Sequence, residues 1–252
     1  VSFNLNSLYA FYPAGEAAEL ERILLAEYGE NAKVPILELK KTNNAKLQNL
    51  SSFIYDKLFV NYTCKQWGCD PGEIDATVTA RVPVVLNRDD RYFHDKYQAI
   101  PVDGYTVLVE NILSHKNIDV CLATDALTVL SVDAERKKVL IDNEVFQRKL
   151  VYTGMLVELF EYSKGELSYR SLQFQFEQHD IQFYQQATTV NYPNDEAFTR
   201  ITEFKHILSQ DVKGTTIVKE FPQDYNPHDP SCNIPYYPVF STKSTTAYRK
   251  YL

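Results

Sequence analysis

The stretch Ser168-Tyr169-Arg170-Ser171-Leu172-Gln173-Phe174-Gln175-Phe176-Glu177 alternates apolar with polar residues. A period of two marks a β-strand, whose successive side chains point to opposite faces. Leu172, Phe174 and Phe176 then share one face with Arg170, while Ser171, Gln173 and Gln175 take the other. A guanidinium pointing the way of an apolar row needs a partner, because burying an unpaired charge is costly. The partner is a core carboxylate, open water reached by snorkelling, or a bound anion. Arg200 repeats the theme, opening Thr199–Phe204 on the face of Thr202 and Phe204. Two arginines on neighbouring strands predict convergence on one phosphate or diphosphate, which planar guanidiniums grip in a bidentate way. That expectation fails if the two heads face apart or if each is locked to its own acid.

Working outward, the same period predicts strands at Ala187–Tyr192, Thr199–Phe204 and Thr215–Phe221. Upstream it predicts short strands at Val120 and Leu122, Val129–Val132, Lys138–Ile141 and Leu150–Thr153, with Lys164-Gly165 as a hairpin turn. Before residue 118 the period is instead 3.6. Ala17, Leu20, Leu24 and Tyr28 mark one helix, and Leu47, Leu50, Ile54 and Leu58 a second. Tyr105, Leu108, Val109, Ile112 and Leu113 mark a third, after Gly104. Residues 62–103 are poorly periodic and read as a long loop. The last 30 or so residues read as loop, with a helix beginning near Thr245. Helices first and antiparallel strands afterwards predict an α+β fold.

Composition narrows the function. The chain has 252 residues, 26 Lys+Arg against 33 Asp+Glu, and a net charge of −7. Its 18 Tyr and 14 Phe supply ample core. An acidic balance without a basic stripe argues against nucleic acid. No apolar run approaches the roughly 20 residues of a membrane span, and no targeting signal is visible. Scattered cysteines without a C-x-x-C pair predict no metal site and fit the cytoplasm. The chain starts at Val1 and its one Met is Met155, so the natural start is expected to lie elsewhere. Among its 8 Gly there is no G-x-G-x-x-G dinucleotide fingerprint.

Aromatics gather in the irregular stretch. Tyr62, Trp67, Tyr92 and Phe93 offer flat faces for a base or sugar, or simply fill core. Arg81, further along the same stretch, is placed to swing onto a ligand, or is an ordinary solvated arginine. Tyr236-Tyr237 stands between Pro235 and Pro238, which stiffen the backbone and fix where the hydroxyls point.

In order along the chain, Tyr62-Thr63-Cys64-Lys65-Gln66-Trp67-Gly68, Asp89–Phe93, Tyr97–Pro101 and Val151-Tyr152-Thr153-Gly154 resemble the UDP-galactopyranose mutase family. So do Tyr169–Leu172, Val190–Tyr192, Thr199-Arg200-Ile201 and Pro235–Pro238. The resemblance implies a flavoenzyme that interconverts UDP-galactopyranose and UDP-galactofuranose through an adduct between the sugar and N5 of reduced FAD. By motif, Arg81, Arg170 and Arg200 resemble the diphosphate-binding arginines. Tyr62, Thr63, Trp67, Tyr92, Asn191, Tyr236 and Tyr237 resemble the substrate contacts, and Thr153 and Gly154 the flavin contacts. The implied organisation is a helical substrate-binding region at 1–115 with a mobile loop at about 66–82. FAD-domain strands follow at 116–155 as a Rossmann-like remnant, then an antiparallel sheet at 156–240 and the start of a further segment at 241–252.

This chain departs from the family pattern at Leu58, at Met155-Leu156-Val157, at Phe198 and in a shorter 191–200 segment. With no glycine-rich turn to seat the FAD diphosphate, these residues alone are expected to be inactive and not to retain FAD. A non-catalytic nucleotide-sugar binding module is the competing expectation. Self-association through apolar surface around Leu150–Val157 is a further one.

Overall fold

The computed structural model describes residues 3–68, 83–91, 93–133, 135–208, 210–239 and 241–251. Arg81, Tyr92 and most of the expected mobile loop lie outside the described residues. The chain forms two compact units, Val1–Gln98 with Tyr169–Ser241, and Ala99–Ser168 with Thr242–Leu252. Helices lead and antiparallel strands follow, so the fold is α+β.

In the first unit, Asn4 starts α1 (Leu5–Phe11) with a reciprocal cap: its side chain accepts from the Ser7 amide, and the Ser7 hydroxyl accepts from the Asn4 amide. α2 (Ala14–Tyr28) follows Pro13 and stops at Gly29, whose φ of 84° suits only glycine well. α3 (Ile36–Leu39) leads to α4 (Ala45–Ile54), capped by Asn44. Ala17, Leu20 and Leu24 of α2 interlock with Leu47, Leu50 and Ile54 of α4, all buried as their spacing predicts. Each such Leu or Ile contributes roughly 1.5–3 kcal/mol by leaving water.

The second helix does not end near Leu58. It continues through a π-helical stretch, Tyr55–Val60, directly into α5 (Asn61–Trp67). The start of the expected 62–103 loop is therefore helical, and Gly68, at φ 61°, ends it. No capping residue marks the junction: Val60 precedes α5 in helical conformation.

Beside a two-stranded pair, Lys33–Val34 with Val84–Val85, the unit has a sheet of five strands: β1 (Tyr169–His179), β2 (Thr189–Asn191), β3 (Arg200–Glu203), β4 (Thr215–Asp224) and β5 (Tyr237–Pro238). They lie in the order β5-β1-β4-β3-β2, every neighbouring pair antiparallel. Arg170 and Leu172 are buried as expected, but Phe174 is 38% and Phe176 64% exposed. α5 meets that face at Arg170 and Arg200.

The second unit holds the helix Gly104–Leu113 and an antiparallel meander, Leu130–Asp133, Lys138–Ile141 and Glu144–Phe146. Asp142 and Asn143, both at positive φ, make the tight turn between its last two strands. These three strands form a meander without a parallel crossover. The expected strands at 120–122 and 150–153 and the hairpin at Lys164-Gly165 are absent among the described residues; a short helix, Leu156–Leu159, precedes that turn. The marked apolar face of Gly104–Leu113 stays exposed from Tyr105 to Leu113. Thr242–Tyr248 is helical, near where the sequence predicts it. None of Cys64, Cys121 and Cys232 is in a disulfide. Among the described residues no helix is long and apolar enough to cross a membrane.

Candidate functional site

Sheet register decides where the arginines point. Arg170 pairs across with Asp224, and Arg200 with Glu220. Directly opposed residues share a face, and Glu220 and Asp224, four apart on β4, share one too. Both arginines therefore rise from the same face, at positions about 13 Å apart along β4. Tyr237, opposite Arg170, and Asn191, opposite Arg200, join them on it.

α5 crosses this face. At its start the Tyr62 hydroxyl accepts a hydrogen bond from Arg200 Nη2 at 2.8 Å. At its end the Gln66 carbonyl accepts from Arg170 Nε at 3.3 Å, and the Trp67 ring meets the Tyr237 ring edge-on at 6.2 Å. Lys65 fastens the helix to the β2–β3 connection by donating to the carbonyls of Tyr192 (2.6 Å), Glu196 (2.7 Å) and Phe198 (3.1 Å). Burial lowers the Lys65 pKa, against the pull of Glu196 and Asp195. Gly68 leaves room for the Arg170 guanidinium: a Cβ there would stand 2.7 Å from Cζ.

Each guanidinium stands against its own acid, the arrangement under which the expected convergence of two arginines on one diphosphate fails for the unliganded chain. Arg170 Nη1 is bonded to the Asp224 carboxylate, and Arg200 Nε lies 3.5 Å from Glu220 Oε2. The physical reason is the cost of a buried cation without a counter-charge. Pairing is incomplete, however: Arg200 Nε and Gln66 Nε2 are buried without a hydrogen-bond partner. Burial raises the Glu220 pKa against the pull of Arg200. Burial lowers the Arg200 pKa, but the Tyr62 hydrogen bond and the charges of Tyr62, Glu220 and Tyr237 carry it upward on balance. Burial also raises that of Tyr237.

Of the sequence-predicted residues, Tyr62, Trp67, Arg170, Arg200 and Tyr237 are thus brought together. Thr63 is buried within α5, and Asn191 is exposed beside Arg200. Tyr236 is 38% exposed, with its ring 5.5 Å from Phe174. Sequence reasoning missed Glu220 and Asp224, which meet the arginines only through the sheet register, Asp224 lying beyond the predicted end of its strand at Phe221. Lys65, Gln66 and Gly68 stood in a quoted motif without an assigned part.

Thr153 and Gly154 lie in the second unit on an exposed irregular stretch. Space over Gly154 is filled by the Tyr152 ring, since a Cβ there would lie 3.1 Å from Cε1. The four-residue helix that follows has no side-chain cap. Thr153 and Gly154 are exposed, and among the described residues no capped helix N-terminus stands beside them to seat a diphosphate. Among the described residues no cluster of His, Cys, Asp and Glu could hold a metal ion.

The model of the family described as GLF: UDP-galactopyranose mutase matches residues 57–252. The chain belongs to the UDP-galactopyranose mutase family. It is 33% identical over 225 residues to the UDP-galactopyranose mutase of Mycoplasma genitalium, covering 88% of this chain and 55% of that protein. It is 31% identical over 250 residues to the dTDP-fucopyranose mutase of Escherichia coli, covering 98% and 63%. To the probable UDP-galactopyranose mutase of Klebsiella pneumoniae it is 30% identical over 251 residues, covering 99% and 60%. A crystal structure of reduced UDP-galactopyranose mutase aligns at a TM-score of 0.45 and 16% identity, over 89% of this chain and 54% of that one. The family assignment rests on the sequence matches. The chain spans between about half and two thirds of the length of these relatives.

Proposed function

We propose that these residues are the nucleotide-sugar side of a mutase that interconverts UDP-galactopyranose and UDP-galactofuranose. One observation carries the reading: Arg170 and Arg200 rise from one sheet face beneath a helix that brings Tyr62 and Trp67 to the same place. Ring contraction at the anomeric carbon requires UDP to leave and return, so the protein must hold a diphosphate as its charge develops. Arg200, oriented by Tyr62 and Glu220, and Arg170, seated on the end of α5, do that here. Arg81 is the third arginine by resemblance. Tyr62 and Tyr92 take the uridine, Trp67 the sugar, and Thr63, Asn191, Tyr236 and Tyr237 the polar contacts. The substrate side is drawn from 1–115 and 156–240. FAD is the cofactor we propose for the full-length protein, held mainly by residues other than Thr153 and Gly154. We expect a cytoplasmic enzyme, inactive as these residues alone.

The Escherichia coli relative favours a second substrate class, a dTDP-6-deoxyhexose. The test is turnover by the full-length protein under reducing conditions, with UDP-galactofuranose and dTDP-fucofuranose offered in parallel and the products resolved by chromatography. Faster conversion of the UDP sugar supports the reading, and faster conversion of the dTDP sugar moves the assignment. UDP binding without any turnover leaves a non-catalytic nucleotide-sugar module.

A further inference from the structure

We propose that Asp224 is a displaceable counter-ion: without nucleotide its carboxylate holds the Arg170 guanidinium, and the diphosphate of a nucleoside diphosphate takes its place. The inference rests on the reading that Arg170 and Arg200 hold a diphosphate.

The two acids on β4 differ in what they can do. The Glu220 side chain is 14% exposed and sits inside the strand, so its carboxylate is largely removed from water. The Asp224 side chain is 93% exposed while that of its partner Arg170 is 8% exposed. Asp224 is also the last residue of β4, so a rotation about χ1 moves its carboxylate fully into water at little cost. The cation cannot follow, because Arg170 Nε is bonded to the Gln66 carbonyl and the guanidinium fills the space that Gly68 leaves. A fixed, buried cation facing a mobile, hydrated anion is an exchange site: one anion leaves as another arrives, and the guanidinium is never left uncompensated. At the same helix end the Gln66 side-chain amide is buried with Nε2 lacking any acceptor, and a phosphoryl oxygen would supply one.

In this arrangement the Asp224 carboxylate competes with the ligand. Removing its charge leaves Arg170 uncompensated only in the unliganded protein, so the apparent affinity for a diphosphate rises by the fraction of time that Asp224 had blocked it. A side chain that merely braced Arg170 would act in the opposite direction.

The experiment is calorimetric titration of the full-length protein with UDP, and with uridine as the probe lacking phosphate. The proteins are wild type, Asp224→Asn, Asp224→Ala, Arg170→Ala and the double variant Arg170→Ala/Asp224→Asn. UDP is expected to bind both Asp224 variants more tightly, by roughly tenfold if the pair is closed about nine-tenths of the time. Uridine affinity should stay unchanged, and the gain should vanish in the Arg170→Ala background. UDP affinity that is unchanged or weaker in both Asp224 variants, while Arg170→Ala still loses binding, overturns the exchange and leaves the site intact. UDP binding indifferent to Arg170→Ala overturns both.

Discussion

At the far end of β3 from the arginine site, Glu203 and Lys205 are buried as deeply as Arg170, yet every charged atom there is paired. Glu203 accepts from the Tyr184 and Gln185 amides at 3.0 Å each and from the Thr215 hydroxyl at 2.6 Å. Lys205 donates to the carbonyls of Gln182, Val212 and Gly214. Only the Gln185 amide oxygen is left over. Around Arg170 and Arg200 the pairing is looser: one carboxylate stands in solvent, another lies 3.5 Å away, and Arg200 Nε has no hydrogen bond. A saturated cluster stabilises the fold and has nothing left to offer a ligand. An under-paired one gives up some stability and keeps donors for an incoming anion.

That contrast predicts opposite phenotypes. The largest effect is in binding: Arg200→Ala in the full-length protein should weaken UDP affinity by roughly 2–5 kcal/mol, read by calorimetry, with a smaller loss of stability from the Glu220 carboxylate left without its cation. Glu203→Gln should do the reverse, costing about 1.5–3 kcal/mol of stability per lost charge-assisted interaction in urea unfolding, with UDP affinity of the folded protein unchanged. If Glu203→Gln abolishes UDP binding without unfolding the protein, the two clusters are not separate.

Gly68→Ala sits between the two cases. A non-glycine residue at φ 61° costs about 1–2 kcal/mol, and its Cβ would push the Arg170 guanidinium aside. Both stability and UDP affinity should fall, measured on the same preparation. A smaller effect is pH-dependent. Burial raises the Glu203 pKa, but the Thr215 hydroxyl, the two backbone amides and His206 outweigh it and hold the carboxylate below its ordinary 4.5. A depressed folded pKa gives stability that is complete above pH 4.5 and lost as pH falls through the folded value. Glu203→Gln should flatten that acid limb in denaturation curves taken from pH 3 to 7.

Much of this was legible in the sequence, for reasons that differ by region. α2 and α4 could be read because their buried residues recur at helical spacing. Alternation gave Arg170 and Arg200 each a face of its own strand, but the strands are not neighbours as expected: β4 lies between them, and the shared face follows from its register with both. α5 was hidden because it inherits its helical conformation from the π stretch before it and carries no cap of its own. Gly104–Leu113 has the pattern of a buried helix but stays exposed, since periodicity tells which side is apolar and not what covers it. The acids were hardest to foresee. Asp224 and Glu220 meet the arginines only through the β1–β4 and β3–β4 register, which no local pattern encodes.

The preference for UDP over uridine measures directly the proposed grip of the arginines on a diphosphate. In the full-length wild-type protein UDP should bind far more tightly than uridine, and in Arg170→Ala/Arg200→Ala the two should bind nearly alike. A double variant that folds and still prefers UDP by the wild-type margin would contradict it.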